Sequence, residues 1–235
     1  MSRASRHRHH HHIHSCTNPH NPMKTTTILF DFDGTLANTA PGILATMRHT
    51  LSAMCKAIPS DDAMRRTIGL PLYTALQRLG SLSDDEATEA VSIYRRLFPT
   101  YELNGTTIYP GVIETLGELQ RRGIRMGICT SRDEASLELI MKPRGLAPFF
   151  ETRVTNNDHL TPKPAPDMTL RLMEKMGVGA GETLVVGDTT YDILMGNSAG
   201  CRTCAVTYGN HDEVTLLTAR PTFILNSFPG ILELV

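Results

Sequence analysis

The stretch Ile28-Leu29-Phe30-Asp31-Phe32-Asp33-Gly34-Thr35-Leu36 is an apolar run that ends in two carboxylates and a glycine, the pattern of a buried strand delivering acids to its C-terminal edge. Side chains alternate along a strand, so Asp31 and Asp33, two apart, leave the backbone on the same side and can share one crevice of an open sheet. Gly34 lets the chain turn away. A plain strand closing in an Asp-Gly turn would read the same way, so the decision rests on what stands downstream.

Downstream of Pro110 helix and strand alternate. Helix Val112 to Arg121 leads to strand Ile124 to Cys129, helix Asp133 to Met141 to strand Phe150 to Thr155, and helix Asp167 to Met176 to strand Thr183 to Val186. A helix from Thr190 to about Ala199 precedes strand Thr203 to Thr207, with a short strand at Phe223 to Leu225. Such alternation builds a parallel sheet covered by helices on both faces, an α/β Rossmann-like fold. The opening strand, Thr27 to Phe32, belongs to that sheet.

Between them the pattern is helical. Ile43, Leu44, Met47, Leu51 and Met54 recur at three- and four-residue steps in a helix running to about Ala57, introduced by Asn38 as a capping side chain and by Pro41. Helices follow over Asp61 to Ile68, Leu72 to Leu79 and Asp84 to about Tyr101, the last opened by a capping box of Ser83 and Glu86. Four helices without a strand are an insertion, so the expected division is a core of residues 23–37 and 107–235 with a helical cap of residues 38–106.

The totals exclude several classes. Of ten histidines, seven fall in the first 22 residues, which read as a purification tag and linker; leaving out Arg3, Arg6 and Arg8 takes the net charge from −1 to −4. There is no basic patch for nucleic acid or anionic membrane, and no apolar run reaches the roughly 18 to 20 residues of a spanning helix. Five cysteines without a secretory leader predict reduced thiols and a cytoplasmic protein, with Cys201 and Cys204 beginning a strand rather than forming a redox pair. Gly177-Val-Gly179-Ala-Gly181 follows a helix and precedes a strand, the reverse of a dinucleotide loop.

Ligands of such sheets bind at the carboxyl ends of the strands. Polar residues collect there: Asp31 and Asp33, then Thr130-Ser131, then Gly187-Asp188 with Asp192 four residues on, and between the last two Lys163 in a proline-stiffened loop. A hard divalent cation such as Mg²⁺ takes oxygen ligands and one or two carboxylates, which Asp31 and Asp188 could supply. Phosphoryl transfer needs a nucleophile, a proton donor and fixed positive charge, needs that two Asp, one Lys and a metal meet. Singly, each has an ordinary use: Ser131 with Glu134 as a capping box, Asp188 and Asp192 as caps of the next helix, Lys163 as a loop charge.

Asp31-Phe-Asp33-Gly-Thr-Leu, Thr130, Lys163-Pro-Ala-Pro and Gly187-Asp188-Thr-Thr-Tyr-Asp192 resemble, in order, the four motifs of the haloacid dehalogenase-like hydrolases, and the resemblance covers essentially all of residues 23–235. The insertion, and Tyr109-Pro110-Gly111-Val112 at the return to the core, resemble the phosphoglycolate phosphatase-like subfamily, from which Asn38 departs where Asp is common. The resemblance implies a Mg²⁺-dependent phosphatase of small phosphomonoesters, with Asp31 as the nucleophile forming an aspartyl phosphate and Asp33 as general acid and base. It implies Thr130, Ser131 and Lys163 as phosphate-binding residues, Mg²⁺ on Asp31, the Asp33 carbonyl and Asp188, and Asp192 in support. Mutase relatives differ at Thr35 and carry an extra carboxylate where Gly187 stands.

The alternatives are a phosphosugar mutase or pyrophosphatase of the same superfamily and, outside enzymes, a receiver-like phosphate-sensing module. A sensor needs neither an acid for a leaving alcohol nor a water-excluding lid. The turn around Gly69, Leu70 and Pro71, where one cap helix ends and another begins, is expected to reach the active-site mouth and to select compact substrates such as phosphoglycolate. The expected partner is a small phosphate ester, with no nucleic acid or membrane, in a monomer or homodimer.

Overall fold

The computed structural model describes residues 24–235, so the reading of residues 1–22 as a tag falls outside the described residues. The chain forms β1 (Thr27–Phe30), β2 (Ala37–Asn38), α1 (Ala40–Ala53), α2 (Asp61–Arg66), α3 (Leu72–Gly80), α4 (Asp84–Tyr101) and β3 (Thr107–Ile108). It continues through α5 (Val112–Arg121), β4 (Arg125–Cys129), α6 (Glu134–Met141), β5 (Thr152–Val154), α7 (Asp167–Met176), β6 (Thr183–Gly187), α8 (Thr190–Ser198), β7 (Arg202–Val206), α9 (Glu213–Leu217) and β8 (Phe223–Leu225).

Six strands build one parallel sheet in the order β5-β4-β1-β6-β7-β8. β1 lies between β4 and β6, with Phe30 opposite both Ile128 and Val186, which is why its four residues are all buried and carry no alternation of polarity. Ile28 and Phe30 pack with Leu116, Leu137 and Phe228 on one face, while Leu29 packs with Leu172, Met173 and Met195 on the other. The strand order reverses direction at β1, so the crevice at the carboxyl ends opens beside the two acids that follow it.

α1 to α4 surround a separate apolar cluster that includes Ile43, Leu44, Met47, Leu76 and Tyr94. They leave and rejoin the sheet through a two-stranded antiparallel ribbon, β2 with β3, in which Ala37 faces Ile108 and Asn38 faces Thr107. Three local expectations change. Asn38 sits in the ribbon and does not cap α1; the N-cap position is Thr39, and its hydroxyl is spent elsewhere. α1 stops at Ala53 instead of about Ala57, because Cys55 takes a left-handed conformation (φ +56°) that a helix cannot continue through. The β1 ladder ends at Phe30, although the Asp31 amide still donates to Val186 at 3.0 Å. The capping box of Ser83 and Glu86 opens α4 as the sequence predicts. Among the described residues no helix is long and apolar enough to cross a membrane.

Candidate active site

Three segments bring one cation and three carboxylates together at the carboxyl end of β1: the turn after β1 with Asp31, the loop before α7 with Lys163, and the β6–α8 junction with Asp188 and Asp192. Lys163, buried, donates from its ammonium to Asp31 Oδ1 at 2.9 Å, Asp192 Oδ1 at 2.6 Å and the Cys129 carbonyl at 3.0 Å, which uses all three of its N–H bonds. Asp192 divides its two oxygens. Oδ1 takes the lysine, while Oδ2 accepts from the Thr189 amide at 3.1 Å and hydroxyl at 2.8 Å, closing the capping box that starts α8. Capping, which the sequence offers as an ordinary use of Asp192, and the ion pair are therefore both present in one side chain. Asp188 accepts from the Thr35 hydroxyl at 3.1 Å and from the Asn210 amide at 2.8 Å.

Oxygens of Asp31, Asp188 and Asp192 lie within 4.8 Å of one another, and Asp31 Oδ2 is buried without a hydrogen-bond partner. Burial, and then the charge of Asp192, push the Asp31 carboxyl well up despite Lys163, and the same two causes push Asp188 up to about 7. Burial works against the Lys163 ammonium, but Asp192 and Asp31 hold its pKa well above the ordinary value. Clustered hard oxygens, one of them orphaned, and an excess of buried negative charge fit a divalent cation of the Mg²⁺ type. Gly34 shapes the floor: at φ +79° a Cβ there would lie 2.0 Å from Asp188 Oδ2, so backbone conformation and space both require glycine.

Asp33 has a different set of partners. It accepts from the Thr39 hydroxyl at 2.6 Å and from Arg132, Nη2 at 2.5 Å and Nε at 3.2 Å. The same guanidinium pairs with Glu102, a fully buried residue just after α4, whose other oxygen accepts from the Tyr94 hydroxyl at 2.6 Å. Burial alone would raise the Asp33 pKa; the charge and hydrogen bonds of Arg132 outweigh it and hold the carboxyl below its usual value. Glu102 is raised, by burial, with Arg132 opposing.

Asp31, Asp33, Thr130 and Ser131 line one cavity of about 230 Å³ between the sheet edge and the helical insert, together with Gly69 and Leu70; Pro71 is not among its walls and instead precedes α3. Ser131 does not cap α6. Its hydroxyl donates to the Gly69 carbonyl at 2.7 Å, tying the insert's turn to the core, and Asp133 is the cap, accepting from the Ser136 amide at 2.9 Å. Thr130 accepts from the Arg132 amide at 3.1 Å. The residues that sequence reasoning misses are Arg132, Glu102, Tyr94 and Thr39. Cys201 and Cys204 are buried with thiols pushed up to about 11 and 12 by burial, so neither is a reactive thiolate.

Comparison with known proteins places the chain among phosphate-handling hydrolases. Residues 28–206 match the family model described as haloacid dehalogenase-like hydrolase. The Dickeya dadantii protein named "Probable phosphatase IndB" is 34% identical over 208 residues, covering 87% of this chain and 90% of its own length. The Bacillus pumilus protein named "Pyrophosphatase PpaX" is 33% identical over 215 residues, 92% of this chain and 98% of its own. A solved structure described as a predicted phosphoglycolate phosphatase, from Haemophilus somnus, is 26% identical, with a TM-score of 0.77 over 89% of this chain and 97% of that one.

Proposed function

The chain belongs to the haloacid dehalogenase-like hydrolase family, and we propose that within it this protein is a Mg²⁺-dependent phosphatase of small phosphomonoesters, phosphoglycolate-like in size, acting through an aspartyl phosphate on Asp31. The observation that carries the reading is the split of environments between two acids on one cavity: Asp31 in a cluster suited to a metal, Asp33 on an arginine and a threonine.

Asp31 is the nucleophile. Lys163 fixes one of its oxygens and brings positive charge beside the transferring phosphoryl group, with Thr130 and the amides near Ser131 as further oxygen-binding groups. Asp31, the Asp33 carbonyl and Asp188 would hold Mg²⁺, with Asp192 supporting through Lys163; bound there, the ion supplies charge stabilisation for the phosphoryl oxygens. Asp33, within the same cavity, gives a proton to the leaving oxygen and in the second half takes one from water. Its pairing with Arg132 sets it as the base, so the acid half requires that pair to loosen as anionic substrate arrives.

Gly69 and Leu70, facing the acids across the cavity, are the specificity turn in this reading, and the helical insert covering residues 38–106 is the lid. A mutase is disfavoured by space as well as by sequence: a Cβ at Gly187 would lie 2.3 Å from the Asp192 Cβ, leaving no room there for an added carboxylate. Pyrophosphate hydrolysis is the second reading, supported by the name of the Bacillus pumilus relative. Turnover of a panel holding p-nitrophenyl phosphate, phosphoglycolate and pyrophosphate, with Mg²⁺ and then with chelator, is the test. Hydrolysis that chelator abolishes is expected; turnover unaffected by chelator, or none with Mg²⁺, overturns the reading.

A further inference from the structure

The walls of the cavity above the acids have a chemistry that narrows the substrate. Ile43 and Met47 from α1, Leu70 and Leu72 around the turn, Phe98 from α4 and Leu139 from α6 give it apolar sides. Most of its polar side chains are already engaged by the protein. The Thr67 hydroxyl donates to the Met64 carbonyl at 2.7 Å, Tyr94 to Glu102, Ser131 to Gly69 and Ser136 to Asp133 Oδ1 at 2.8 Å. Arg132, the buried cation of these walls, is shared by two carboxylates, Asp33 and Glu102, so the local balance is negative. Arg95 also lines the cavity and makes no ion pair among the described residues, but it is exposed, so water screens its pull on a bound anion.

A leaving group that carries a second phosphate or a carboxylate would have to give up water for apolar walls and a negatively balanced arginine, which is costly. An uncharged alkyl alcohol loses nothing there and buries apolar surface. A cavity of about 230 Å³ is small beside the roughly 300 to 1,000 Å³ of ordinary small-molecule sites, so the room left beside a phosphoryl group suits a short leaving group. We infer that the cavity selects phosphomonoesters of short, uncharged, largely apolar alcohols, and discriminates against pyrophosphate and against carboxylate-bearing esters. This inference rests on the phosphatase reading above and assigns its leaving-group class.

The test pairs two non-hydrolysable probes of similar length, n-butylphosphonate and 3-phosphonopropanoate, titrated calorimetrically into the Mg²⁺-supplemented full chain, with kcat/KM for n-butyl phosphate, phosphoglycolate and pyrophosphate alongside. The butyl probe is expected to bind at least about tenfold tighter, the scale of discrimination an apolar pocket provides, and the kcat/KM ranking should follow. Equal or tighter binding of the carboxylate probe, or pyrophosphate as the better substrate, overturns the inference. The two failures separate: hydrolysis of any phosphomonoester, p-nitrophenyl phosphate included, with the charged ligands preferred sinks only this assignment, whereas no hydrolysis of any of them sinks the phosphatase reading and this with it. Leu139 is 51% exposed, so Leu139→Lys adds a cation to the wall without disturbing the core. It should shift the butyl-to-carboxylate ratio several-fold towards the carboxylate, and an unchanged ratio would remove α6 from the leaving-group wall and overturn the assignment.

Discussion

Two buried cations each hold one of the two acids that follow β1, and they are wired differently. Lys163 joins Asp31 to Asp192, and all three residues come from the loops and the helix start that follow the sheet's strands. Arg132 joins Asp33 to Glu102, and Glu102 lies at the end of α4, where the helical insert returns towards the core. In each case removing the cation would strand two carboxylates away from water. The difference is mechanical: Asp31, the proposed nucleophile, is held from the sheet side alone, whereas Asp33, the proposed acid and base, is held partly by the element that forms the cavity roof. In the proposed mechanism, attack by Asp31 therefore depends less on the roof than proton delivery by Asp33 does.

Substitutions at the acids break the comparison most sharply. Asp31→Asn should remove phosphoenzyme formation and cost on the order of 10⁴ to 10⁶-fold in kcat. Asp33→Asn should cost roughly 10² to 10⁴-fold, more for poor leaving groups than for activated aryl phosphates. Equal losses across leaving groups, read from kcat with graded aryl and alkyl phosphates, would contradict proton donation by Asp33.

The cations come next. Lys163→Met should lower kcat by roughly 10²-fold or more and also lower the melting temperature, since Asp31 and Asp192 lose their shared partner. A folded Lys163→Met protein with near-normal turnover would reduce the lysine to a structural strut. Glu102→Gln is expected to be milder, at most about tenfold in kcat, because it frees Arg132 to hold Asp33 more tightly and so weakens the acid step alone. Phosphoenzyme formation from p-nitrophenyl phosphate should be spared in this variant. If it falls as far as turnover of alkyl esters does, the two cation sites are not separable.

The smallest effect is on stability. Asp188 has a folded pKa of about 7 against an ordinary 3.8, so between those values the folded state holds a proton that the unfolded chain releases. Its contribution therefore disfavours folding as pH rises through that window, and a bound cation removes the penalty. The rise in melting temperature on adding Mg²⁺ should accordingly be larger at pH 8 than at pH 5.5, at about 2–4 °C for each kcal/mol. A rise independent of pH would place the ion away from Asp188.

Much of this was readable from strand ends. A buried four-residue run followed by acids, Gly187-Asp188 after a second run, and the alternation beyond Pro110 are local patterns, and the sheet converts them directly into neighbours. Arg132 and Glu102 were not readable in that way, because their pairing joins positions 99 and 30 residues apart whose local contexts are a loop and a helix end. One signal was present: Tyr94, Phe98 and Glu102 recur every fourth residue, so an acid stands on the buried stripe of α4. Boundaries were missed where a single residue decided them, as at Cys55, and Asn38 was misread because pairing with Thr107 in the ribbon claims it first.

That ribbon has a bearing on descent. Because the chain leaves the sheet at Ala37 and returns at Ile108 as paired neighbours, the two cut ends of the insert are already joined by backbone hydrogen bonds. The sheet closes at nearly the same entropic cost over a wide range of lengths of the chain between them, since the cost of loop closure grows only slowly with length. A lineage can therefore lengthen, shorten or replace the roof in one event without disturbing the register that brings Asp31 to Lys163. A change of roof can then alter leaving-group preference while leaving in place the chemistry proposed for Asp31.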